Sequence, residues 1–288
     1  MKRERFETGN TLVRKELIRS KISHRQPELN EHRFFSHLAE KRFLLRFIRA
    51  VLQNLYIAWV LFVFTFFMIL YLPGILLPFL FGEKYGTISY QFLKLWSWTF
   101  SKLNFIPYEI SGKENIHPGK SYVYISNHTS YLDIPGVCLT VPTQIRPLAK
   151  KELKKIPVFG WIANNAAIIV DRSSNESRRK SMDHLKDVLK RGISILIFPE
   201  GTQNRSNEPL QPFYDGAFRI AIETQQPVLP MVILGAGQLM PPKKFVIRPG
   251  TIRIKVMEEI PTKGLKLADL PALKEQVIGV MVQAIGKM

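Results

Sequence analysis

Tyr122-Val123-Tyr124-Ile125-Ser126-Asn127-His128-Thr129-Ser130-Tyr131-Leu132-Asp133 runs from an apolar segment into a polar turn that carries a histidine and an aspartate. Its first five residues form an apolar-leaning run of strand length, and turn-forming residues follow. His128 and Asp133 stand five positions apart. On a helix advancing about 100° per residue they would point about 140° apart, so an unbroken helix could not pair them. A strand, a tight turn carrying His128 and a helix opening at Asp133 would. A carboxylate on one imidazole nitrogen leaves the other free to take a proton, as a general base requires. The same residues also suit a loop histidine and a helix N-cap, so the stretch alone leaves both roles open.

Outward from this stretch, short apolar runs alternate with amphipathic ones from about Phe105 onward. The pattern predicts an α/β fold, a mostly parallel or mixed sheet of about seven strands covered by helices. The expected strands are 108–111, 122–126, 145–149, 167–170, 193–198, 228–234 and 251–256. The expected helices include 132–139, 177–191 and 216–224, with a closing helix over 270–285. Ile195-Leu196-Ile197-Phe198-Pro199-Glu200-Gly201-Thr202 reads as a buried strand running into a Glu-Gly-Thr turn. Ligands of open parallel sheets collect beyond the carboxyl ends of strands, which would bring Glu200 and Thr202 to the edge that carries His128 and Asp133. Gly201 would allow backbone N–H groups close to a substrate. Ala166 to Arg172 is a third strand ending in charge, and Arg172 either binds a phosphate or pairs with Asp171. A strand around Pro230 is the fourth, and by itself it says little.

The chain has 288 residues, 46 % of them apolar, with 41 Lys and Arg against 23 Asp and Glu, a formal net charge of +18. That excess favours polyanionic partners: nucleic acid, an anionic membrane face or a phosphorylated substrate. One cysteine, Cys138, excludes an intrachain disulfide and a cysteine-based metal site, and it reads as a small core residue. The scattered histidines lack metal-ligand spacing, so no metal and no cofactor are expected.

Three parts are expected: a basic amphipathic leader (1–50), a membrane-associated helical motif (51–104) and the catalytic domain (105–288). The leader ends in Lys41 to Arg49, apolar and basic residues at helical spacing that suit a helix on anionic headgroups. Leu55 to Leu72 carries no charge and as a helix would be about 27 Å long, against a hydrocarbon core of about 30 Å. Pro73-Gly74 then offers a bend. The expectation is a helical hairpin dipped into one leaflet, both ends on one side, with the basic leader cytoplasmic.

Together these stretches resemble the glycerophospholipid acyltransferase family, and within it the 1-acylglycerol-3-phosphate acyltransferases. The family is known by four ordered blocks. Asn-His-x4-Asp is met by Asn127, His128 and Asp133, and an apolar strand plus Asp-Arg by Asp171-Arg172. Phe-Pro-Glu-Gly-Thr is met by Phe198 to Thr202, and the strand with a central proline around Pro230. The resemblance covers about 108–255 and implies His128 as base and Asp133 as its orienter. It implies substrate binding by Asn127, Lys151, Arg172, Glu200, Gly201, Thr202 and Arg205. It further implies transfer from acyl-CoA or acyl carrier protein to the 2-hydroxyl of a lysophospholipid acceptor, with the lipid leaflet as partner and the cytoplasmic face of a bacterial inner membrane as location.

One departure is visible. The family follows Glu-Gly-Thr with Arg, where this chain has Gln203 and then Asn204 and Arg205. Acceptor identity therefore stays open, with a different lyso-lipid, such as a lyso-ornithine lipid, as the competing acceptor. A non-catalytic lipid-binding protein would share the charge and the apolar segment but would not need His128 and Asp133. A nucleic-acid binder would share only the charge, and no nucleic-acid-binding signature is present.

Overall fold

The computed structural model describes residues 4–156, 158–170, 174–243 and 245–287. In chain order its helices and strands are α1 (Glu4–Leu80), α2 (Gly86–Leu103), β1 (Tyr108–Ser111), β2 (Val123–Ser126), α3 (Asp133–Thr140), β3 (Ile145–Lys150), α4 (Phe159–Ala166) and β4 (Ile168–Val170). There follow α5 (Asn175–Lys190), β5 (Ser194–Ile197), α6 (Gly216–Thr224), β6 (Val228–Leu234), α7 (Ala236–Leu239), β7 (Ile252–Val256) and α8 (Leu270–Lys287). The chain divides into two units, 1–56 and 57–288. In the first, Phe43, Leu44, Leu45, Phe47 and Ile48 are all exposed.

In the second unit the seven strands form one sheet in the order β1-β7-β6-β2-β5-β3-β4. β4, β3, β5, β2 and β6 run parallel, so Val170, Lys150, Ile197, Ser126 and Leu234 end on one edge. β7 is antiparallel to β6 and parallel to β1, which makes the sheet mixed. β2, β5 and β6 are largely apolar, as strands covered on both faces are. On one face Leu185, Val188 and Leu189 of α5, Phe218 and Ile220 of α6, and Val277 and Met281 of α8 pack on Val123, Ile125, Ile195 and Val232. Side chains alternate along a strand, so Tyr124 and Leu196 turn to the other face. There α3 contacts β1, β7 and α2. Gly192 has φ +77°, a left-handed residue just past α5 that suits glycine.

The helical hairpin forms, but its turn is not at Pro73-Gly74. α1 continues through both residues to Leu80, and the chain reverses over Phe81 to Tyr85 before α2. Proline lacks the N–H of the helix ladder, yet packing against α2 holds the helix through it. Trp59 Nε1 donates to Leu103 O at 2.9 Å, and Tyr71 Oη and Thr99 Oγ1 lie 3.3 Å apart. Phe64 meets Trp96 edge to face at 5.1 Å. Gly74 sits under the Phe92 ring, where a Cβ would lie 2.4 Å from Phe92 Cδ1. The glycine sets how closely the two helices approach. The segment Glu40–Leu80 is long and apolar enough to cross a bilayer.

Gly74→Val should force α2 away from α1 and cost about 1–3 kcal/mol, as overpacking does. Thermal unfolding of the detergent-solubilised variant should show a lowered Tm. An unchanged Tm would mean that the hairpin does not pack as described.

Candidate active site

The carboxyl end of β2 leads into the site. Asn127 is buried, and its amide is spent on the neighbouring strand: Nδ2 donates to Ile233 O and Oδ1 accepts from Ile233 N, both at 2.8 Å. This clamp ties the end of β2 to β6 just before the chain turns at His128. Asn127, expected to touch substrate, here holds the scaffold.

His128 Nδ1 lies 2.8 Å from Asp133 Oδ2. The same oxygen accepts from the backbone N–H groups of Thr129 at 2.8 Å and Ser130 at 2.9 Å. Asp133 opens α3 and is fully buried, so its carboxylate organises the turn as well as the ring. An ionised carboxylate only accepts, which puts the imidazole proton on Nδ1 and leaves Nε2 as the basic nitrogen. The His128 side chain keeps 17 % exposure, enough for Nε2 to meet a substrate. Its ring stacks on Phe198 at 4.3 Å between centroids and 21° between planes, which fixes its tilt. Phe198 belongs to the Phe-Pro-Glu-Gly-Thr run, yet nothing in the spacing marks it as the histidine's support.

Glu200 arrives from the end of β5 and turns inward. Its Oε1 accepts from His128 N at 2.9 Å and its Oε2 from Gln211 N at 3.1 Å. Burial pushes the Glu200 carboxyl upward, and the two backbone donors oppose that shift. Gly201 donates to Phe198 O at 3.0 Å to close the turn, with φ +71° that a side chain would strain. Thr202 and Arg205 are exposed on the loop that follows. Asn204 is buried and holds that loop: its N donates to His128 O, and its Oδ1 accepts from Ser206 N, Ser206 Oγ and Gln211 Nε2. Neither Asn204 nor Gln211 was expected in the site, and no residue type or spacing singles them out.

β2 and β5 therefore bring His128, Asp133, Glu200, Gly201, Thr202 and Arg205 to one edge. Lys151 is exposed just beyond the end of β3, two strands from β2 on the same edge. Arg172 lies outside the described residues. Ser130 Oγ donates to Met240 O at 2.9 Å and accepts from Leu132 N, so its hydroxyl is engaged. Burial pushes the Cys138 thiol up to about 11. Among the described residues no group of His, Cys, Asp and Glu is arranged to hold a metal.

Glu200→Gln would set an amide NH2 against a backbone N–H, leaving a buried donor without an acceptor. It should cost about 1–3 kcal/mol of stability. Denaturant unfolding of the variant beside wild type checks this, and equal midpoints would remove the carboxylate from its bridging role.

Residues 107–234 match the family model described as Acyltransferase. The chain is 32 % identical over 173 residues to the 1-acyl-sn-glycerol-3-phosphate acyltransferase alpha of Bos taurus, covering 59 % of each. It is 32 % identical over 168 residues to the beta form of Homo sapiens, covering 58 % of this chain and 60 % of that one. The chain thus spans about three fifths of the length of these curated relatives. It also resembles the crystal structure of the 1-acyl-sn-glycerophosphate (LPA) acyltransferase PlsC from Thermotoga maritima. That likeness has a TM-score of 0.72 at 25 % identity over 83 % of this chain and 97 % of the other.

Proposed function

We propose that the protein carrying this acyltransferase-family domain is an O-acyltransferase of phospholipid biosynthesis. It moves a fatty acyl group from an acyl thioester, acyl-CoA or acyl carrier protein, to the 2-hydroxyl of 1-acylglycerol-3-phosphate, giving phosphatidate. The observation that carries this reading is the 2.8 Å contact between His128 Nδ1 and a buried Asp133 carboxylate at the carboxyl edge of the sheet. The names of the relatives supply the acceptor class.

In the reaction His128 Nε2 takes the proton of the acceptor hydroxyl as its oxygen attacks the thioester carbonyl. The tetrahedral intermediate collapses, the thiolate leaves, and it departs with the proton that the imidazolium returns. Attack is direct. The Ser130 hydroxyl is committed to Met240 O, and burial keeps the Cys138 thiol protonated, so neither offers an acyl-carrying nucleophile. Asp133 stabilises the imidazolium as it forms and keeps the ring oriented. Glu200, Gly201, Asn204 and Gln211 hold the backbone around it. Lys151 and Arg205, both exposed, are the described cations that would bind the acceptor phosphate, and Arg172 is assigned the same role from its sequence position alone.

The apolar hairpin and the basic leader support a membrane-bound enzyme to which a single-chain lipid comes from the leaflet and the thioester from water. The cytoplasmic face of a bacterial inner membrane fits the basic leader. A second acceptor reading rests on Gln203, the residue that stands where the family has Arg. A neutral amide there reduces the charge offered to a phosphomonoester and favours a lyso-lipid with another headgroup, such as a lyso-ornithine lipid.

Purified protein given a long-chain acyl thioester and 1-acylglycerol-3-phosphate should form phosphatidate. His128→Ala should lower the rate by about 10²–10⁴-fold. Retention of more than about a tenth of the activity would contradict the role of base. Arg205→Ala should raise the acceptor KM with little change in kcat, and an unchanged KM would take Arg205 out of the phosphate site. Transfer to lyso-ornithine lipid alone would make Gln203 a specificity change.

A further inference from the structure

A cavity of about 220 Å³ opens at the amino end of β3, on the far side of that strand from its site-facing carboxyl end. Its walls include Phe79, Glu83, Arg146, Asn164, Asn165 and His184. Arg146 is only 5 % exposed, yet its guanidinium is poorly satisfied. Nη1 donates at 3.4 Å to the carbonyl of the preceding residue, Ile145, and Nη2 has no hydrogen-bond partner. The group rests 5.5 Å from the centre of the Phe79 ring, a weak offset for a buried charge. Glu83 on the same wall hydrogen-bonds Arg191 and not Arg146, so its charge favours the Arg146 cation only from a distance.

Buried charges are ordinarily paired, and one that is not marks a place where a counter-ion belongs. At the start of the 18-residue helix α2 a Cβ on Gly86 would come 2.1 Å from Gln144 Oε1 and 3.0 Å from Arg146 Nη2, so that side of the guanidinium is closed and a ligand would approach it from the cavity. The remaining polar wall, Asn164, Asn165 and His184, offers hydrogen-bond donors. Asn165 Nδ2 already serves Trp161 O, which leaves Asn164 and His184 for a ligand.

We propose that this cavity is a second, non-catalytic site for a phosphate group, with Arg146 as its central charge. The site's position indicates the source. Phe79 forms one wall, and Leu80 and Phe81 follow it on the hairpin turn at 78 % and 72 % exposure. A phosphodiester or phosphomonoester headgroup in the cavity would leave its acyl chains against that apolar turn. The site thus fits an anionic membrane lipid, held away from the chemistry and tying the hairpin turn to β3 and α4. Inorganic phosphate shares the recognised group.

The test is thermal unfolding of the full chain. Wild type, Arg146→Met, Asn164→Asp and Arg205→Ala would be compared with inorganic phosphate against chloride of equal ionic strength. The same four proteins would then be compared in phosphatidylglycerol and phosphatidylcholine nanodiscs. A ligand that binds only the folded state raises Tm. Wild type and Arg205→Ala should rise by more than about 2 °C with phosphate or with phosphatidylglycerol. Arg146→Met and Asn164→Asp should not, the latter because its new carboxylate occupies the cavity. Because Asn164 is exposed, that variant remains informative if Arg146→Met fails to fold. A response in nanodiscs alone assigns the site to a lipid headgroup, whereas a response to phosphate as well shows that the phosphate group suffices. A response lost in Arg205→Ala but kept in Arg146→Met and Asn164→Asp would place it in the active site and overturn the proposal. So would no response in wild type, which would leave Arg146 to the neighbouring Gln144, whose Oε1 also lacks a partner. None of these readouts requires turnover, so the result is independent of the acyl-transfer reading.

Discussion

One carboxylate oxygen, Asp133 Oδ2, receives the imidazole of His128 and the backbone N–H groups of Thr129 and Ser130. Three donors on one buried acceptor make the turn and the ring orientation a single event. If the turn opened, the imidazole would lose its partner, and if the carboxylate were lost, the turn would lose its centre. Everything nearby supports that oxygen's position. Asn127 fixes the strand end, Phe198 fixes the ring plane, and Glu200 holds the His128 backbone to the segment around Gln211. Such preorganisation lets a base act without reorganising in the transition state.

The centre of the sheet was legible because β2, β5 and β6 are buried on both faces. Buried strands read as nearly uninterrupted apolar runs, and β6 falls where its run predicts. The antiparallel pairing of β7 with β6 was not legible, since direction is set by the connection and not by the strand's own pattern. Pro73-Gly74 misled for a local reason. A proline disfavours a helix interior by about 3 kcal/mol, but the long packed interface with α2 outweighs it. That interface uses residues dozens of positions away in sequence, such as Trp59 with Leu103 and Phe64 with Trp96.

Within the candidate site, strand-end placement put His128, Asp133 and Glu200 at one edge, as the structure has them, but it could not say which way each side chain faces. Asn127 and Glu200 look like substrate ligands by type, and both spend their polar groups on backbone. Asn204 and Phe198 are the reverse case, ordinary by type yet placed to hold the loop and the His128 ring. Arg146 belongs with them: it lies in a strand that reads as core, and only its missing partner sets it apart.

By fixing the tautomer of His128, Asp133 would make Nε2 the base. ¹⁵N NMR of histidine-labelled protein, with the His128 signals assigned by their loss in His128→Gln, measures this directly. Neutral His128 should carry its proton on Nδ1 with Nε2 unprotonated, and should revert to the ordinary tautomer mixture in Asp133→Asn. A neutral ring with its proton on Nε2 in the wild type would contradict it.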